Sequence, residues 1–243
     1  MPRATRRTRS PSFIARLGRW IAGLSVGFVM LSVLSVLLFR WLPVPVSSVM
    51  IERELQALSE GRAMGYDYRW VDYADISPQL KLAVIAAEDQ RFPVHHGFDQ
   101  QQIQQALSAW RSGGSLRGAS TISQQTAKNL WLWSDSSWSR KAIEAWFTLL
   151  IEFLWPKQRI LEVYLNLAEW DVGVFGAEAA ARHYFGIGAA ELGTGQAARL
   201  AAVLPAPRVW DPLRPNARVA QRIQWVERQM RQLGGVGYLQ RLQ

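Results

Sequence analysis

The sequence predicts a mainly helical protein whose N-terminus carries one membrane-spanning helix. Three observations predict this class. Residues 20–39 carry no charged side chain. Downstream, apolar residues recur at three- and four-residue spacing in one stretch after another. No run of successive alternating strands is found.

The chain has 243 residues and a formal charge of +9, with 28 basic and 19 acidic residues. Six arginines, Arg3, Arg6, Arg7, Arg9, Arg16 and Arg19, fall in the first 19 residues, and the first acid is Glu52. Residues beyond 19 therefore carry only +3. The basicity belongs mainly to the tail and does not point to nucleic acid. Cysteine is absent, which excludes disulfides, thiolate zinc sites and cysteine nucleophiles. Three histidines, His95, His96 and His183, are too few for a multi-histidine metal centre.

Trp20 to Phe39 is long enough to cross the hydrocarbon core as a helix. Arg19 and Arg40 bracket it, Trp20 and Trp41 suit the two interfaces, and Pro43 and Pro45 end it. A cleaved signal peptide has the same basic-then-apolar order. The run is longer than a signal core, however, and Trp41-Leu42-Pro43 is a poor cleavage site. The expected division is a basic cytoplasmic tail at 1–19, a transmembrane helix at 20–42, a connector at 43–64 and a globular body at 65–243. The tail's charge puts that body outside the cytoplasm.

Within the body, Trp70 to Tyr73 reads as a short strand or extended segment. Ser77-Pro78 starts a helix, a capping side chain followed by proline in the first turn. Leu80, Ala83, Val84 and Ala87 give it one apolar face, and Glu88 and Asp89 close it. A second helix is expected over Asp99–Ala109. Arg111 to Gly118 is glycine-rich and reads as a mobile loop. Further helices are expected at Ile122–Leu130, Arg140–Trp155, Gln158–Ala168, Ala177–Tyr184, Thr194–Ala202 and Arg218–Leu233, with Pro156 stopping the longest.

Three segments carry chemistry. In Glu88–Gly97 two adjacent carboxylates repel each other and face the negative end of a helix dipole. Both effects raise carboxylate pKa values and suit general acid–base work, although such a pair is more often solvated surface. In Gly118–Asn129, Ser120 or Thr121 can cap a helix whose free amides suit an anion. Gln124 and Lys128 share one face there, and Gln125 and Asn129 another. An ordinary capped amphipathic helix explains the same residues. In Arg140-Lys141-Ala142-Ile143-Glu144 an arginine and a glutamate lie one turn apart beside Trp146, Phe147, Leu149 and Leu150. Charges in such apolar company have a partner or a ligand. The helix they open is expected to be buried or to rest against the bilayer.

These segments, in this order, resemble the signature blocks of the peptidoglycan glycosyltransferase family, which monofunctional transglycosylases share with class A penicillin-binding proteins. The first block matches at Glu88, Asp89, Phe92, His95 and Gly97. The second matches from Gly118 to Asn129, with Ala119 for a glycine and Ser123 for a threonine. The third matches at Arg140, Lys141 and Glu144, and a fourth from Lys157 to Asn166. Tyr184-Phe185-Gly186 and Leu204-Pro205-Ala206-Pro207 are similar to later segments of the family.

The resemblance implies a lysozyme-like helical globular lobe with a smaller, membrane-proximal hydrophobic lobe. It implies an inverting transferase that polymerises lipid II into β-1,4-linked glycan strands and releases undecaprenyl diphosphate. Glu88 would be the general base on the acceptor's 4-hydroxyl. Lys128 and Arg140 would neutralise the pyrophosphate, and Glu144 would orient these cations or a divalent ion. Asp89, Ser120, Gln124 and Gln125 would line the sugar sites, whereas Phe92, Tyr164 and Asn166 suit packing. No cofactor is required, and magnesium or manganese is an optional companion of the pyrophosphate. The partners implied are lipid II, the growing strand, membrane lipid and other cell-wall synthases; nucleic acid is not among them. The place implied is the cytoplasmic (inner) membrane. Trp131, Trp133, Trp138, Trp146 and Trp155 are candidates for an interfacial surface or, equally, for the core. No lysine has a serine three positions before it, so a transpeptidase S-x-x-K is not expected in these residues. Two readings stand beside this one: a lytic glycosidase using Glu88 as an acid, and an inactive scaffold that recruits partners.

Overall fold

The computed structural model describes residues 13–63, 65–113, 120–135 and 137–242. The glycine-rich segment expected to be a mobile loop lies mostly outside the described residues, as does Ala119.

Helix α1 (Phe13–Phe39) starts earlier than Trp20, because Arg16 and Arg19 are good helix formers whose charges can reach outward from an apolar stem. Its stretch Arg16–Phe39 is long and apolar enough to cross a membrane, rising about 36 Å at helical pitch. Only 11% of the most apolar window is buried inside the protein, so its apolar surface faces outward.

The expected connector at 43–64 is largely helical. Helix α2 (Ser48–Ser59) is capped by Ser47, whose hydroxyl accepts the Met50 amide at 3.2 Å. Its charge-rich middle, Glu52-Arg53-Glu54, hides the two residues that seat it, Val49 and Met50, both buried. The strand in this region also sits earlier than expected. Strand β1 (Asp67–Tyr68) pairs parallel with β3 (Val174–Phe175), which pairs antiparallel with β2 (Glu169–Asp171). Trp70–Asp72 is extended but pairs with no strand; the buried Asn166 amide accepts the Val71 N–H at 3.0 Å and donates to its carbonyl at 2.9 Å.

Helix α3 (Pro78–Glu88) begins at Ser77, whose hydroxyl accepts the Gln79 amide. It was expected to have one apolar face. Instead Leu80, Leu82, Ala83, Val84, Ile85 and Ala86 are all at most 1% exposed, so it is the central helix and is covered all round. Its one lysine, Lys81, is tolerated by resting its ammonium 3.8 Å from the Tyr73 ring centre. Helices α4 (Gln100–Arg111), α5 (Ile122–Trp131), α6 (Trp138–Leu154), α7 (Lys157–Leu167), α8 (Ala177–Phe185), α9 (Thr194–Val203) and α10 (Ala217–Gln232) follow. The alanine-rich α9 and amphipathic α10 pack on α3, while α5 packs on α6 and α7. Short side chains such as Ala197, Ala198, Ala201 and Ala202 let these helices approach closely.

The anchor is fastened to this body. Helix α1 packs along α6, where the Trp146 indole donates to Ser32 Oγ at 3.0 Å and the Trp155 indole to the Val36 carbonyl at 2.8 Å. Arg159 closes the last turn, donating through Nε and Nη2 to the Phe39 carbonyl at 3.0 and 2.8 Å. The five tryptophans therefore divide. Trp155 is buried and Trp131 stacks on Phe147 with centroids 4.5 Å apart, whereas Trp138 is 91% exposed. With Leu149 and Phe153, also exposed on α6, Trp138 gives this side of the body an apolar surface next to the anchor.

Candidate active site

Glu88 is the last residue of α3, and two other helices reach it. Gln125 of α5 donates from Nε2 to Glu88 Oε2 at 3.1 Å, and Arg222 of α10 donates from Nη2 to Glu88 Oε1 at 3.2 Å. The Gln125 amide is oriented in turn by Tyr164 of α7, whose hydroxyl donates to its Oε1 at 3.3 Å. Burial is the main influence on Glu88 and raises its pKa above the ordinary 4.5. Gln125 and Arg222 pull it back, and Asp89 pushes it up. Charge repulsion, the reason suggested by the sequence, is a lesser contribution than desolvation.

Asp89 takes another direction. Its carboxylate is 1% exposed, bonds His95 Nε2 through both oxygens at 3.0 and 2.9 Å, and accepts the Ile122 amide at 3.0 Å. Side by side in sequence, the two acids separate in space: Asp89 closes the N-terminus of α5, while Glu88 stays at the surface of the site. Asp89 still borders the cavity at Glu88, while its carboxylate is engaged in the core. Phe92 is fully buried with the Lys157 ammonium 4.5 Å from its ring centre. Gly97 has φ +85, and a Cβ there would lie 2.7 Å from Thr148 Cγ2, so this glycine permits α6 to pass close by.

At the start of α5 the cap is Thr121 rather than Ser120. The Thr121 hydroxyl accepts the Gln124 amide at 3.2 Å, and the Gln124 side chain accepts the Thr121 amide at 3.1 Å. Gln124 is thus a buried capping residue, and Ser120 is exposed.

Lys128 lies one turn beyond Gln125 and lines a cavity of about 310 Å³ together with Arg53, Asn129, Tyr164, Glu169 and Arg208. Among the described residues its ammonium has no hydrogen-bond or ion-pair partner. Burial lowers its pKa first; Glu144 draws it up, and Arg140, Lys141 and Arg53 lower it further. An ammonium held so, with arginines on the cavity wall, is a place for an anion. A second cavity, of about 520 Å³, is lined by Glu88, Asp89 and Arg91 with the amides of Gln90, Gln101, Gln102 and Gln105. Glu88 thus lines the amide-rich cavity, and its hydrogen-bond partner Gln125 lines the cationic one.

Arg140 and Glu144 are brought together, but with each other. Arg140 Nη1 lies 2.6 Å from Glu144 Oε2, both are buried, and Lys141 holds the other oxygen of Glu144. Among the described residues, Arg140 Nε is buried without a hydrogen-bond partner. The structure therefore assembles Glu88, Gln125 and Lys128 around the cavities, sets Arg140 and Glu144 behind them as a pair, and assigns Asp89 and Gln124 to holding α5.

Sequence reasoning missed Arg222, Arg53 and Arg208. For Arg222 a signal existed. It falls between Val219, Ile223 and Val226, the buried stripe of α10, where a charge needs a partner. Arg53 and Arg208 carried no such mark.

A family model described as transglycosylase matches residues 56–231. Proteins described as biosynthetic peptidoglycan transglycosylase are similar along nearly the whole chain. One from Chromohalobacter salexigens is 60% identical over 92% of this chain and 96% of its own length. One from Pseudomonas fluorescens is 58% identical over 88% and 90%. One from Xanthomonas campestris pv. campestris is 51% identical over 97% and 96%.

Proposed function

The chain belongs to the transglycosylase family, whose domain is lysozyme-like, and it is a peptidoglycan glycosyltransferase with an N-terminal membrane anchor; we propose that it acts on lipid II, with Glu88 as the general base. The observation that carries this reading is the hydrogen bond from Gln125 to Glu88, which joins the amide-lined cavity at Glu88 to the cavity of Lys128, an ammonium with no ion-pair partner among the described residues.

In the proposed step the 4-hydroxyl of the acceptor sugar gives its proton to Glu88, and its oxygen bonds to the anomeric carbon of the donor. The bond from that carbon to the pyrophosphate breaks, and undecaprenyl diphosphate leaves with the electron pair. An α-linked donor so attacked gives a β-1,4 link. Negative charge grows on the pyrophosphate, where Lys128, Arg53 and Arg208 would meet it. Arg140 would contribute its positive charge from behind Lys128, with Glu144 holding it in place. Gln125 serves as the bracket of Glu88, and the amide-lined cavity suits sugar hydroxyls. Both oxygens of Glu144 are already held, so a divalent cation, magnesium or manganese, is proposed only as a companion brought by the pyrophosphate.

The substrate's polyprenyl chain keeps the reaction at a bilayer surface, and the anchored α1 beside the apolar side of α6 supports that placement. With the arginine-rich tail inside, the body would stand on the outer side of the cytoplasmic membrane. Other cell-wall synthases are proposed partners on the same membrane.

The test is glycan polymer formed from lipid II by the detergent-purified full chain, wild type beside Glu88→Gln. Polymer from the first and none from the second supports the base. Polymer from both removes Glu88 from the role, and shortening of preformed strands by the wild type would favour the lytic reading.

A further inference from the structure

Arg222 lies outside the four matched blocks, on a helix far along the chain, yet its guanidinium is bound at three points. Nε donates to the Ala202 carbonyl at 3.1 Å, and Nη2 donates both to the Ala87 carbonyl at 3.3 Å and to Glu88 Oε1 at 3.2 Å. Its guanidinium carbon sits 5.6 Å from the Trp225 ring centre. Two fixed carbonyls, from α9 and α3, aim the remaining donor at one oxygen of Glu88. On the other oxygen, the chain from Tyr164 through Gln125 does the same from α7 and α5.

We infer that Arg222 is a positioning residue for the reaction: it holds the Glu88 carboxylate in one rotamer beside the amide-lined cavity and sets a positive charge against it. The inference rests on the reading of Glu88 as the base. A base of this kind works only while it is a carboxylate, and after each transfer it must release the proton it has taken. Among the described residues, few groups face Glu88. Arg222 of α10 supplies the positive charge, Asp89 opposes it from the next residue, Gln125 of α5 donates a neutral hydrogen bond, and the Tyr164 hydroxyl of α7 stands behind Gln125. Without Arg222, burial and Asp89 act on Glu88 with only Gln125 to offset them, and the carboxylate protonates more easily. The same loss frees Oε1 to rotate away from the attacking hydroxyl.

The test is the pH dependence of polymerisation by the full chain in detergent with lipid II, for wild type, Arg222→Gln, Arg222→Lys and Glu88→Gln. For Arg222→Gln the acid limb should move about one pH unit or more towards higher pH. Its rate at saturating lipid II should fall about 10- to 100-fold, with KM within a few-fold of wild type. Arg222→Lys keeps the charge and loses the fork; its limb should return close to wild type while its rate stays reduced. An Arg222→Gln enzyme with wild-type limb and rate overturns the inference. So does an equal loss in both variants with no movement of the limb, which is what a purely packing role would give. If Arg222→Gln loses its native melt, Arg222→Lys carries the test, and a wild-type rate there overturns the inference. Polymer from Glu88→Gln would overturn the base assignment and this inference together; an inactive Glu88→Gln beside a normal Arg222→Gln overturns this inference alone.

Discussion

Asp89 Oδ2 lies 2.9 Å from His95 Nε2, and the same oxygen accepts the Ile122 amide at 3.0 Å. One buried carboxylate therefore joins the end of α3, the following turn and the start of α5. Since α5 carries Gln125 and Lys128, this junction sets where both stand relative to Glu88.

Asp89→Ala should accordingly act first on stability. It strips a buried hydrogen-bond partner from His95 and from the Ile122 amide, a change that costs about 1–3 kcal/mol. In a chain of this size that corresponds to a melting-point fall of roughly 2–10 °C. A thermal melt in detergent reads it. An unchanged melt with lost activity would instead make Asp89 a group that meets the substrate.

Glu88 should behave in the opposite way. Its folded-state pKa is raised, mainly by burial, so its carboxyl favours folding when protonated. That contribution is fully present below its unfolded value near 4.5 and is lost as pH rises through the higher folded value. At pH 7–8 Glu88→Gln should therefore melt at the same temperature as wild type or above it, and the gap should close as pH falls below that window. Its polymerisation should drop about 10²- to 10⁴-fold. In the wild type the rate should decline with falling pH through a midpoint above the ordinary carboxylate value. A midpoint at or below 4.5 would count against Glu88 as the titrating base.

The contrast between these neighbours marks how far the sequence alone carries. Nearly all the helices of the body were legible, because capping residues such as Ser77, Asp99 and Thr121 and apolar spacing are local signals. Helix α2 was not, since Glu52-Arg53-Glu54 looks solvated and its seat on α5 is a long-range fact. The matched blocks named Glu88 and Asp89 together, but not that the Asp89 carboxylate turns into the core while Glu88 meets Gln125 and Arg222. Asp89 and Glu88 differ only in where α3 ends, one residue being the last of the helix and the next its cap. Arg222 reaches Glu88 across 134 positions, and nothing short of the packed helices reveals such a contact.

Lys128 tests the pyrophosphate site. Burial lowers its pKa and Glu144 offsets this in part, so the charged form is disfavoured by the fold and an anion in the cavity would favour it. Lys128→Met should leave the melt unchanged or slightly raised while polymerisation falls about 10²- to 10³-fold. Lys128→Arg should fall between, because the larger fork keeps the charge but not the point contact. A melt lowered by several degrees in Lys128→Met would mean that the ammonium is structural.

The anchor makes the last case. Truncation to residue 43 would remove the Val36 and Phe39 carbonyls, which receive the Trp155 indole and the Arg159 guanidinium. Trp155 is 4% exposed and Arg159 8% exposed, so both would lose partners at a partly buried seam rather than in open water. Arg159 also pairs with Glu162 at 2.7 Å, and Glu162 accepts the Tyr73 amide at 2.8 Å, so the disturbance can pass from the seam into the body. A simple tether predicts that the truncated body, kept in detergent micelles, melts like the full chain. The contacts described here predict a lower melt for the truncated body, with a smaller fall of the same sign for Trp155→Phe in the full chain. That variant removes one indole donor and leaves the membrane-spanning segment intact. A lowered melt in the truncation together with an unchanged one in Trp155→Phe would assign the effect to lost apolar packing of α1 on α6 rather than to these hydrogen bonds.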